Sequence, residues 1–66
     1  MGTKNNKPNN MKTEMYLIED GIEIFVTDLS AESFDHYAHE CEEKCVNHVI
    51  NGNVLEINGK ILLKRI

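Results

Sequence analysis

Residues 30–50 constrain this chain most. They read S-A-E-S-F-D-H-Y-A-H-E-C-E-E-K-C-V-N-H-V-I. At 100° per residue, Ala31, Phe34, Ala38, Cys41, Cys45 and Val49 fall in one stripe, with Tyr37 and His48 at its edge. Glu32, His36, Glu40, Glu43 and Asn47 fall opposite. That pattern predicts a helix with one buried side. Ser30 suits its N-cap, and Leu29 and Phe34 suit a hydrophobic staple across it. Asn51 and Gly52 suit its end, because both residue types tolerate a left-handed backbone. The unbroken stripe through Val49 favours the long helix. The rival is a helix that stops near Cys45, with 46–50 and 53–57 forming a further hairpin.

Two hairpins are expected to flank the helix. In the first, Asp20 and Gly21 separate two β-prone runs, and Asp-Gly fits a type I′ turn in which both central residues need positive φ. Pairing Glu19 with Ile22 puts Met15, Leu17, Ile22, Ile24 and Val26 on one face. Tyr16, Ile18, Glu23, Phe25 and Thr27 take the other. The first face is the expected floor for the helix. In the second hairpin, Asn58 and Gly59 make the same signal between 53–57 and 60–66. With a two-residue loop, neither of its faces is cleanly apolar.

The expected fold is therefore α+β, in the order ββαββ, with one amphipathic helix packed on a four-stranded, mostly antiparallel sheet. The single small domain spans 14–66. Residues 1–13 are polar and read as a disordered tail. So short a domain gains little more from apolar burial than it loses in chain entropy, so a disulfide, metal or partner subunit is a common supplement. One helix covers one face of a sheet, which leaves Tyr16, Ile18 and Phe25 as an expected self-association patch, most simply in a twofold dimer.

Charge narrows the partners. The net formal charge is −4, but three of the seven basic residues, Lys4, Lys7 and Lys12, lie in 1–13. The remainder has Lys44, Lys60, Lys64 and Arg65 against all eleven acidic residues. Such a surface repels nucleic acid over most of its area. No apolar run approaches a membrane span, no signal peptide is evident, and two cysteines do not make a disulfide framework, so a cytoplasmic setting is expected.

Little in the chain suggests catalysis. It has no glycine-rich phosphate loop and no nucleophile–base motif. On a long helix Cys41, Cys45 and His48 share a side and form a zinc-type ligand set, but cysteines in an apolar stripe behave as small hydrophobes, so core packing is expected instead. His36 and His39 with Glu40 and Glu43 read as a solvated helix face.

The expected function is that of a non-enzymatic protein-binding module without a cofactor. As an acidic inhibitor or regulator it would cover a partner's basic surface with Glu32, Asp35, Glu40, Glu42 and Glu43. Small acidic regulators carried by phages and other mobile elements supply the analogy. The alternative is a nucleic-acid-binding module using Lys60, Lys64 and Arg65 with the N-terminal lysines, and Tyr16 and Phe25 as stacking platforms.

Overall fold

The computed structural model describes residues 11–66. It is an α+β fold with one helix on an antiparallel sheet, and the sheet has five strands rather than four. The elements are β1 (Thr13–Glu19), β2 (Ile22–Leu29), α1 (Ser33–Glu43), β3 (His48–Asn51), β4 (Val54–Ile57) and β5 (Ile61–Arg65). Their order across the sheet is β2-β1-β5-β4-β3, so the first and last strands meet in the middle. Of the N-terminal stretch 1–13, residues 1–10 lie outside the described residues. Thr13 belongs to β1 and is fully buried, and the ladder continues outward as Met11 N–H donates to Ile66 O at 2.7 Å.

The helix is shorter than its apolar stripe suggests, and the rival reading is the one realised. Cys45 has φ 57°, and Val46 N–H donates to Cys41 O at 2.8 Å while Cys45 N–H donates to Glu42 O at 3.3 Å. Those two bonds are a Schellman ending with a left-handed residue just past the helix. Val49 fits the helical stripe, but it also fits a strand, and His48–Asn51 gains ladder bonds by pairing with Val54–Ile57. Gly52, φ 64°, takes the first position of the two-residue loop between β3 and β4. At the other end the helix begins at Ser33, not beside Ser30. Ser30 receives Ser33 N–H on its backbone carbonyl at 3.0 Å, and its hydroxyl meets the Ser33 hydroxyl instead of a helix amide. Leu29 still packs against the core cluster that contains Phe34.

Both flanking hairpins form, each with one extra residue. At β1 and β2 the Glu19–Ile22 pairing holds from the turn to Tyr16 and Phe25, then shifts so that Met15 faces Thr27. Val26 is the bulged residue. At β4 and β5 Asn58 (φ 56°) and Gly59 (φ 68°) make the expected turn, closed by Lys60 N–H to Ile57 O at 3.0 Å. Lys60 then drops out of the ladder and Ile57 faces Ile61. This one-residue shift exchanges the faces of β5 relative to the two-residue loop. It puts Leu55, Ile57, Ile61 and Leu63 together beneath the helix, which removes the mixed faces expected from sequence.

Phe34, Leu55 and Leu63 form the core, with Met15, Leu29, Ala38, Ile57 and Ile61 around it. Cys41 is buried on the same side of the helix. The helix lies chiefly over β3, β4 and β5, and with its leading loop it reaches only the Thr13–Met15 and Leu29 end of the β1–β2 hairpin. Five strands spaced by about 4.8 Å make a sheet about 20 Å wide, and a helix is only about 10 Å across. On the helix side the turn end of the β1–β2 hairpin, from Leu17 to Ile24, therefore stays bare. The described residues extend 46 × 26 × 18 Å, long for their number, because the hairpin runs on past β5.

Candidate interaction surfaces

The bare part of the helix-side face carries residues expected to be the helix floor. Leu17 is 40% exposed, Ile22 62% and Ile24 43%, and Val26 on its bulge is also exposed. Leu17 pairs with Ile24 on one side and with Ile61 on the other, so the patch runs under the helix without a polar break. Where it meets the helix there is an apolar hollow of about 200 Å³, lined by Met15, Tyr37, Cys41, Val46, Ile57 and Ile61. Glu40 and Lys44 stand at the same hollow. Sequence reasoning missed this surface because it assumed a helix long enough and central enough to cover β1 and β2. The available signal was width: one helix is two strands wide.

The opposite face holds the patch expected for self-association. Tyr16 and Phe25 are brought together, ring centroids 5.6 Å apart in an edge-to-face contact. Ile18 lies on the same face. Leu62 is buried in the middle of this face, beside Tyr16. Charges close over part of it. Lys64 Nζ lies 4.8 Å above the Tyr16 ring and 2.9 Å from Glu23 Oε1, and the Glu23 bond holds the lysine above its ordinary pKa. Tyr16 donates its hydroxyl to Glu14 at 2.8 Å, which raises the phenol. Of the expected trio, Phe25 is the most open, at 52% exposed.

No family model, no curated protein and no solved structure matches this chain.

The five acidic residues of the expected partner face are spread along the helix and its first turn. Three have partners within the chain. Asp35 meets Arg65 at 3.2 Å, Glu40 meets Lys44 at 3.1 Å, and Glu43 lies 3.4 Å from His39. The Lys44 bond lowers the Glu40 carboxyl below its usual range. Glu32 occupies the N-cap position without a side-chain cap bond, and neither it nor Glu42 has an ion pair among the described residues.

The basic residues of the C-terminal strand are engaged internally. Arg65 lies over the Phe34 ring at 4.2 Å and bonds Asp35 and Asn53. Lys64 is held by Glu23. Lys12 bridges Glu14 and Asp28, with Asp28 chiefly raising its pKa. Lys60, exposed in its turn, has no ion pair among the described residues. Lys4 and Lys7 lie outside the described residues.

Cys41, Cys45 and His48 sit on three different pieces of backbone. Cys41 is in the core, Cys45 is exposed on the helix cap, and His48 opens β3 with Nδ1 2.8 Å from Val46 O. Among the described residues, no three His, Cys, Asp or Glu side chains gather as metal ligands. No helix among them is long and apolar enough to cross a membrane.

Proposed function

We propose that this chain is a non-enzymatic protein-binding module that acts as a homodimer and turns its acidic helix face toward a basic surface on another protein. The observation that carries the reading is the turn end of the β1–β2 hairpin, where Leu17, Ile22 and Ile24 on one face and Phe25 on the other stay exposed. Soluble chains seldom leave so much contiguous apolar surface unpartnered. The small core argues the same way: a fold of this size gains a large fraction of its stability from any surface it buries in a subunit contact. The acidic face supports the second half. Glu32 and Glu42 are not neutralised by the described residues, and Asp35, Glu40 and Glu43 are paired only at the surface, where such pairs are worth little and exchange readily for a better cation. Opposite charge across such a contact speeds association and selects the partner.

Sedimentation of the untagged chain at tens of micromolar tests the first half. A two-subunit mass is the expected result, and a single-subunit mass overturns it.

A further inference from the structure

We infer that the interface is the helix-side face of the β1–β2 hairpin, stacked on the same face of a second copy, so that each hairpin fills the empty place beside the other's helix. The inference rests on the homodimer reading above and names its surface.

Above the sheet, the helix occupies the space over β3, β4 and β5. The vacant space over the turn end of β1 and β2 is two strands wide, or about 10 Å, and it closes toward Thr13, which lies beneath Ala31. A twofold axis running along the hairpin, between β1 and β2, lays the partner's hairpin over that space. Two sheets stacked this way sit about 10 Å apart, the same height at which a helix packs on a sheet. The partner's β2 then lies alongside the helix at the mouth of the hollow, and its own helix falls beyond the edge of the first sheet. Nothing collides. Leu17 of one copy faces Ile24 of the other, because the two are cross-strand neighbours about the axis.

Area agrees. From their fractional exposures, Leu17, Ile22, Ile24, Val26 and Tyr37 leave on the order of 400 Å² of side chain bare. A standard interface buries about 800 Å² per partner, rather over half of it apolar. The patch is therefore close to what a modest dimer needs, with the polar rim making up the rest.

Charge offers one contact. The hairpin end carries Glu19 and Asp20. In the stacked pair it comes near the turn that holds Lys60, whose charge no described carboxylate meets, whereas Lys44 is already held by Glu40. Edge-to-edge pairing of two β2 strands fits less well. The Val26 bulge breaks the edge, and Glu23 and Asp28 sit along it, both common devices against strand addition.

The test measures dimer dissociation by sedimentation for four chains: wild type, Leu17→Lys, Ile24→Glu and Phe25→Glu. Far-UV circular dichroism accompanies each. A charge buried at the stacked face should weaken dimerisation at least about tenfold in Leu17→Lys and in Ile24→Glu. Phe25→Glu, on the opposite face, should leave it unchanged. Mixing Leu17→Lys with Ile24→Glu should restore a dimer, since the two positions face each other across the axis; a merely unfolded variant would not be rescued. A wild-type dimer that survives Ile24→Glu, or that is lost in Phe25→Glu instead, overturns this interface but leaves the homodimer reading standing. A wild-type monomer overturns both.

Discussion

Val46 donates its backbone N–H to Cys41 O across the end of the helix, and the turn that permits this puts Cys45 in the left-handed region. A cysteine there bears a steric cost that glycine lacks, because its Cβ crowds the backbone. Cys45→Gly should therefore stabilise the fold by about 0.5–1 kcal/mol, and Cys45→Val should destabilise it by at least as much. Urea unfolding of the three chains measures both.

Leu63 and Leu55 face each other in the sheet, both fully buried under Phe34. Leu63→Ala removes atoms from a fully buried site and should cost about 2–5 kcal/mol, a large part of the stability of so small a domain. Leu17→Ala, on the bare hairpin, should cost under about 1 kcal/mol when measured at concentrations too low for association. Thermal melts at low concentration separate the two.

Arg65 should matter more than its carboxylate partner. Asp35 is largely exposed, so Asp35→Ala should cost under about 1 kcal/mol. Arg65→Ala also removes the stacking on Phe34 and the bond to Asn53, so its cost should be clearly larger. If the ion pair were the main contribution, the two variants would match in denaturant midpoint, and Arg65→Met would fare no better than Arg65→Ala.

Tyr16 gives a pH signature. Its hydrogen bond to Glu14 stabilises the protonated phenol and raises its pKa. A raised folded pKa means that this contribution is fully present below the unfolded value of about 10 and is lost as pH rises through the folded value. In a Tyr37→Phe background, absorbance titration should show Tyr16 ionising above the usual phenol range. Glu14→Gln should bring it down.

Much of this fold can be read in the residues. Asp20 with Gly21, and Asn58 with Gly59, mark turns because few other pairs accept two positive φ values. Phe34, Ala38 and Cys41 mark the buried helix side because no strand would space them so. The misreadings have local causes. Cys45 hides the helix end, since a non-glycine left-handed cap has no composition signal. Val49 fits a period of two as well as one of 3.6, and only the pairing with Glu56 decides. Val26 and Lys60 are single extra residues in their ladders, and an inserted residue leaves no trace until both strands are seen. The candidate surface was half legible. Tyr16, Ile18 and Phe25 do share a face, but the larger bare area depends on where the helix lies across the sheet, and that is a property of the strand order.

That strand order has a consequence for how the molecule assembles. β1 and β5, neighbours at the centre of the sheet, are the most distant strands along the chain, and their ladder joins the β1–β2 ribbon to the β3–β4 pair. Everything else in the sheet is made by short-range turns. A chain cut after Gly59 would retain the parts of two separate ribbons with no seam between them, and the helix would lose Leu63 from beneath it. Closure of that seam is the one long-range pairing in the described sheet, the kind of contact that slows folding. It also brings Met11 and Ile66 within one hydrogen bond of each other, so a short peptide joining 66 to 11, with new ends opened at Gly52, would make the β1–β5 seam local and pass the long-range closure to β3 and β4 while keeping every strand in place.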